Sequence, residues 1–267
     1  MSRPATVPPG LAAALLVLRA GLCAGQIVSP APGAPAATPG PLARYAFHVS
    51  VLRSAPADID YQWDAEIGGD LDLVDYGAGR VTFLATYETI VGDERRTFDP
   101  IQGNYLLDLS ASWRAPAVEL FGVLHHVSRH LSDREKRQPV DWNMVGGRVL
   151  GRLHRGRTTL VLSAHVLWVV QRAFVDYARE IGGEVALVQE RGAGRALLLR
   201  ASIARLGLIA GAARPVPIDA RTEVGVRLPG RAAAVEIVGG LERRADAVTL
   251  APGGRTAVLV GVRVVSP

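Results

Sequence analysis

Three side chains near the middle of the chain have the types and spacing of an acyl-transfer site. His126 and Ser128 are two residues apart in the segment Ala117–Asp133, AVELFGVLHHVSRHLSD. Residues i and i+2 of an extended chain share a face, so the imidazole and the hydroxyl project the same way. A serine hydroxyl is a weak nucleophile until a neighbouring base takes its proton, and that base needs a third group to orient it. Asn143, on the segment that returns alongside, is placed to be that group. Ser128 would then attack an ester carbonyl, His126 would take its proton, and Asn143 would fix the ring. The chain carries its own control in His48-Val49-Ser50. There Tyr45, Phe47 and Val49 form the apolar face, so His48 and Ser50 belong to the polar one.

The elements that would hold these residues are legible from period-two alternation. In Arg80 to Thr89, Arg80, Thr82, Thr86 and Glu88 oppose Val81, Phe83, Ala85 and Tyr87. Asn104, Asp108, Ser110 and Ser112 oppose Tyr105, Leu107, Leu109, Ala111 and Trp113. Thr159, Ser163, His165 and Gln171 oppose Leu160, Leu162, Val166, Trp168 and Val170. Alternation repeated in this way is a strand signature. It predicts twelve strands, starting near Tyr45, Trp63, Arg80, Asn104, Ala117, Asp141, Thr158, Ala178, Arg195, Arg221, Ala232 and Arg255. Short turns at Gly77-Ala78-Gly79, Arg114-Ala115-Pro116, His154-Arg155-Gly156, Arg191 to Gly194 and Leu228-Pro229-Gly230 alternate with longer links. The fold expected is all-β: a single transmembrane antiparallel β-barrel with short inner turns, longer outer loops and both termini inside.

A water-soluble sandwich or barrel also alternates, but its polar face is wetted and its charges need no partners. Here both signs recur on the polar face: Glu66, Asp70, Asp108, Glu119, Glu184, Glu223 and Glu236 alongside Arg80, Arg148, Arg152, Arg200, Arg227 and Arg263. That mixture suits a narrow, ion-paired lumen. Tyr87, Tyr105, Trp113 and Trp168 lie on the apolar face near strand ends, as interfacial aromatics do. The chain ends Val264-Val265-Ser266-Pro267, not on the aromatic residue common in such barrels.

Composition narrows the function classes. Arg3, the apolar run Leu11 to Leu18 and the small Ala24 suggest a signal peptide over residues 1–24. A Pro/Ala-rich leader follows over 25–43, and the barrel occupies 44–267. Cys23 is the only cysteine and falls in the signal, which excludes disulfides, thiol catalysis and zinc–cysteine sites from the mature chain. The formal charge of +5 comes almost wholly from Arg, with Lys136 the single lysine. No basic cluster is interleaved with aromatics, so nucleic acid is not an expected partner. Gly192 to Gly194 sits in a tight turn and not before a helix, which removes a phosphate-loop reading.

With the N-terminus inside, odd-numbered strands run outward. The fifth then carries His126 and Ser128 to its outer end, facing lipid. On the sixth, Asn143, Val145, Val149 and Leu153 face lipid while Arg148 and Arg152 face the lumen. His125 has the opposite parity and would face the lumen near Glu119, and His130 would lie in the following loop. Expected partners are membrane lipids or lipopolysaccharide. Rim histidines with Arg129 and Arg134 could instead bind lipopolysaccharide phosphates. No cofactor is expected. Asp133 and Glu135 could support calcium, but two carboxylates on a loop are a slender ligand set.

His126-Val127-Ser128 at the outer end of a barrel strand, with a polar residue on the next strand, resembles outer-membrane phospholipase A and the lipid A deacylases. In those barrels a His-x-Ser pair faces the membrane and an Asn or acidic residue orients the histidine. The resemblance implies a lipid hydrolase with Ser128, His126 and Asn143 as its catalytic residues. The wider stretch His126 to Asp133 is similar to the His-x-Ser-Ser-His-Leu-Gly-Asp pattern of the DUF1207 family of bacterial barrels. That likeness covers the hairpin from about Asn104 to Leu153. Arg129 departs from it, standing where the lipases have Asn. The alternative function is a non-enzymatic structural, adhesive or narrow-pore barrel.

Overall fold

The computed structural model describes residues 33–57, 59–132, 135, 138–247 and 253–266. The strands are β1 (Gly40–Ala55), β2 (Trp63–Asp75), β3 (Arg80–Gly92), β4 (Asp99–Arg114), β5 (Val118–Leu131) and β6 (Val140–Arg155), followed by β7 (Thr158–Ala173), β8 (Tyr177–Gly192), β9 (Arg195–Leu208), β10 (Ile218–Pro229), β11 (Ala234–Arg244) and β12 (Arg255–Val265). Each pairs antiparallel with its sequence neighbours, and β1 pairs with β12 to close the barrel. Closure leaves no edge, which a sheet spanning lipid requires because hydrocarbon offers no partner for an open row of N–H and C=O groups. The twelve expected strands are all present.

Two strands begin five residues earlier than alternation suggests. β1 starts at Gly40, inside the stretch read as leader, and pairs Gly40 with Asp75 and Pro41 with Val74 before a register shift at Arg44. β4 starts at Asp99, where a register shift opposite Ile90 and Val91 breaks the alternation. The segment read as a signal peptide and residues 25–32 of the leader lie outside the described residues. Short turns join β2–β3, β4–β5, β6–β7, β8–β9 and β10–β11 at the rim carrying the termini. The β6–β7 turn needs Gly156, whose φ of 60° disfavours other residues. Longer connections gather at the opposite, outer rim, except for 174–176 between β7 and β8.

The outward face is apolar, with Leu107, Leu109, Leu120, Leu124, Val145, Val149, Leu162, Ile203 and Val260 among its exposed side chains. Exposed aromatics mark both rims: Tyr45, Tyr76 and Trp113 by the short turns, Tyr105 and Trp168 by the long loops. The inward face is crossed by ion pairs. Arg80, fully buried, donates to both Glu119 oxygens at 2.9 Å and to Asp72 at 3.1 Å. Arg244 reaches Glu88 at 2.7 Å, Glu242 at 3.2 Å and Asp64 at 3.3 Å. Glu236 accepts from Arg200, Arg227 and Arg263. His48 and Ser50 turn inward as parity requires, with His48 Nε2 at 2.5 Å from Glu66.

The lumen is not polar throughout. Leu106, Phe121, Val123, Val127, Trp142, Met144, Leu150, Leu167 and Leu206 form a buried apolar cluster behind β5 and β6. His125 is inward and buried, but its partner is Asp108 at 3.5 Å and not Glu119, because the β4–β5 register sets His125 opposite Asp108. Glu119 is held instead by Arg80, Arg114 and Arg152.

Removing one member of a buried ion pair leaves an uncompensated charge. Arg80→Ala leaves Asp72 with Arg44 at 3.3 Å and Glu119 with Arg114 and Arg152 at 3.6 and 3.7 Å, so it should lower stability in detergent–urea unfolding by less than the about 3–5 kcal/mol of a fully stranded buried charge; an unmoved midpoint would show that the network does not hold the wall. At the outer rim, Arg214 bridges Asp176 and Asp246. Its hydrogen bonds hold the Asp176 carboxyl below the usual carboxylate range. That contribution is present above the ordinary carboxylate pKa of ~3.9 and is lost as pH falls through the lowered folded value. Protection of the amides in 209–217, corrected for intrinsic exchange, should therefore hold down to the ordinary carboxylate pKa of ~3.9 and fall only as pH is lowered beneath it.

Candidate active site

The site sits on the outward face of β5, β6 and β7, close to the long-loop rim. Register places Leu107 and Asn143 on either side of His126, and Tyr105 and Asp141 on either side of Ser128. His126 Nδ1 is 2.7 Å from Asn143 Oδ1. An amide oxygen can only accept, so Nδ1 carries the hydrogen and Nε2 is left with its lone pair. The pair predicted from sequence to form a base and its orienting group is therefore in contact.

Ser128 keeps the parity of His126, and its Oγ lies 3.2 Å from Nε2 of His130. β5 continues to Leu131, so His130 is a strand residue with the parity of His126 and Ser128, not a loop residue. The hydroxyl thus stands on a face with an imidazole two residues to either side. Ser128 is only 8% exposed, whereas Leu124 on the same face is 55% exposed. Tyr105 stands beside it, edge-on to His130 at 5.4 Å and packed against Tyr87 at 4.7 Å. Gly103 leaves room for this shelf, since a Cβ there would meet the Tyr87 hydroxyl at 2.7 Å.

A further group comes from β7. Asn143 Nδ2 donates to Gln171 Oε1, and Gln171 Nε2 donates to Asp141 Oδ1 at 3.1 Å. Strict alternation assigns Gln171 to the lumen with His165. A register shift prevents that: Met144 pairs with Val169 while Asn143 pairs with Gln171, which leaves Val170 as an extra residue. Such a bulge re-aims the side chains beyond it, and here it turns Gln171 outward beside Asn143. Asp141 and His130 both obey the parity rule and were findable from sequence. Gln171 was not, because nothing local announces the bulge.

The inward neighbours anchor the site strands. Val127 and Trp142 are in the apolar cluster, and Trp142 packs edge-on against Tyr177 at 5.0 Å. Arg129 is buried and inward, 5.4 Å over the Trp142 ring, donating to the Asp246 carbonyl at 2.5 Å. Arg129 is therefore not the outward phosphate ligand suggested above; Arg134 lies outside the described residues. So does Asp133, while Glu135 is exposed. The described residues hold no group of three or more His, Cys, Asp or Glu arranged for a metal.

Comparison with solved structures gives the class. The chain is similar to outer membrane phospholipase A from Escherichia coli, with 12% identity and a TM-score of 0.51 over 85% of this chain and 98% of that one. An active-site mutant of that protein in which an Asn is replaced by Ala matches at 11% identity and a TM-score of 0.50, covering 89% and 94%. Acinetobacter baumannii outer membrane protein Omp33 matches at 10% identity and 0.41, covering 84% and 97%. At these identities the likeness is one of fold: the chain is a closed twelve-stranded barrel of the outer-membrane kind. No family model matches the chain, and no curated protein matches it in sequence. The motif likeness to DUF1207 accordingly gains no family match.

The cross-strand geometry makes a direct prediction. Cysteines at His126 and Asn143 replace a face-sharing pair and should form a disulfide on mild oxidation. His126→Cys combined with Met144→Cys should not, because Met144 points into the lumen. Cross-linking in the second pair and not the first would overturn the assigned faces.

Proposed function

We propose that the protein is an outer-membrane lipid-acting serine hydrolase, of phospholipase or lipid A deacylase type, with Ser128 as nucleophile, His126 as base and Asn143 as its orienting group. The observation that carries this reading is the 2.7 Å contact between His126 Nδ1 and Asn143 Oδ1 on the lipid-facing wall, with a hydroxyl on the same strand face. Polar side chains on that face are costly, and this group is of the kind that serves acyl transfer.

The chemistry follows from the atoms present. Ser128 Oγ leaves His130 by rotation about χ1, which moves a serine between staggered wells, and attacks the carbonyl carbon of an acyl ester. Its proton passes to His126 Nε2. The tetrahedral intermediate collapses, the C–O bond to the lipid alcohol breaks, and the imidazolium protonates the departing alkoxide. Water then repeats the cycle on the acyl-enzyme, giving up a proton to Nε2, releasing the fatty acid and restoring Ser128. Leu107, Leu124, Val145 and Trp168 are exposed beside the site and would lie along the acyl chain. Membrane phospholipid or lipopolysaccharide therefore reaches the nucleophile without leaving the bilayer.

A second reading, a non-enzymatic barrel whose rim polarity is structural, draws on the Ser128–His130 bond, which engages the hydroxyl away from His126. Protein folded in detergent and given phospholipid or lipopolysaccharide separates the two. The hydrolase reading predicts fatty-acid release, with kcat/KM lowered roughly 10³-fold or more by Ser128→Ala and roughly 10²-fold by Asn143→Ala. Equal rates for wild type and Ser128→Ala would leave the structural reading standing.

A further inference from the structure

We infer that Asp141 and Gln171 are positioning residues that set the tautomer of His126 through a directed chain of hydrogen bonds. The inference rests on the hydrolase reading for its consequence, but not for its chemistry. Asp141 begins the chain. As a carboxylate it can only accept, so the Gln171 group facing Oδ1 is the Nε2 amide nitrogen. Gln171 then presents its Oε1 to Asn143, and Asn143 turns Nδ2 towards it. That leaves Asn143 Oδ1 facing the imidazole, where it accepts from Nδ1–H of His126 at 2.7 Å. Each side-chain amide has two orientations of nearly equal shape, and a lone Asn143 could offer His126 either end. With Nδ2 offered, Nδ1 would have to accept and the proton would sit on Nε2. The nitrogen meant to receive the Ser128 proton would then be a donor. The acceptor-only end of the chain removes that choice.

Three features show this as a built arrangement. Asp141 and Asn143 share the outward face of β6, and their cross-strand neighbours on β5 are Ser128 and His126. The β-bulge at Val170 is what brings Gln171 to the same face, bridging the two β6 residues from β7. The surrounding wall is apolar, with Trp168 and Val170 exposed on β7 and Val145 on β6. In such surroundings an amide without its partner is costly, so each link holds the next in place. Serine attack itself touches neither Asp141 nor Gln171; both act through Asn143.

The test uses the full barrel in detergent, labelled with ¹⁵N-histidine, with the His126 signals assigned by their loss in His126→Gln. The wild type should show His126 as the Nδ1–H tautomer at a pH where the ring is neutral. Gln171→Leu removes the middle link and should raise the Nε2–H tautomer to a share comparable with Nδ1–H. In the lipid assay its kcat should fall about tenfold with KM changed less than about twofold. Asp141→Ala should do the same, while Asp141→Glu, which keeps an acceptor, should restore the wild-type tautomer. Should Gln171→Leu fail to fold, the two Asp141 variants carry the test alone. An unchanged Nδ1–H tautomer in Gln171→Leu or Asp141→Ala would overturn the inference. The two claims fail separately. If wild type and Ser128→Ala hydrolyse lipid equally but the tautomer shifts as described, the hydrolase reading falls and the relay stands.

Discussion

A polar group shut away from water is costly unless the protein supplies its partner, and hydrocarbon supplies none. That constraint closes the sheet, since an open edge would leave a row of backbone groups unpaired. It also orders the lumen. Charges enter in mutually compensating sets such as Arg80 with Asp72 and Glu119, or Glu236 with three arginines. On the lipid side it acts more strictly. The hydrogen-bonded path from His126 through Asn143 and Gln171 to Asp141 meets it with four side chains from three adjacent strands.

The strands that carry this path are also those backed by apolar packing. Val127 lies between His126 and Ser128 in sequence and points the other way, into the cluster with Trp142, Phe121 and Leu106. Elsewhere the lumen is filled largely by ion pairs, whereas behind β5 and β6 aromatic and aliphatic side chains pack together. Arg129 adds a tie across the barrel to the Asp246 carbonyl, and Arg214 joins Asp246 to the loop at Asp176. The outward residues thus stand on a section of wall backed by apolar packing, as a preorganised site requires.

Strand parity is the property most legible in the sequence, because a membrane barrel imposes a separate chemistry on each face. From it follow the strand number, the inward turn of His48 and His125, the outward turn of His126, Ser128 and Asn143, and the aromatic rims. What parity hides is any break in the count. The Val170 bulge moves Gln171 from one face to the other, and no turn residue marks it. The shift near Pro100 likewise conceals the first residues of β4. Parity also names a face without naming a partner. His125 faces the lumen as expected, yet it meets Asp108 because register, not proximity in sequence, chooses its neighbour. For the same reason His130, two residues beyond Ser128 with matching parity, is a member of the site once β5 is seen to run to Leu131.

The proposed activation of Ser128 on the outer wall is tested most directly by treating the detergent-folded barrel with a lipid-like fluorophosphonate and mapping the adduct by mass spectrometry. A Ser128 activated by His126 is phosphonylated, and the adduct is lost when His126 is replaced by Ala. A barrel shown to be folded that takes no label at Ser128, or takes it at the same rate without His126, would contradict it.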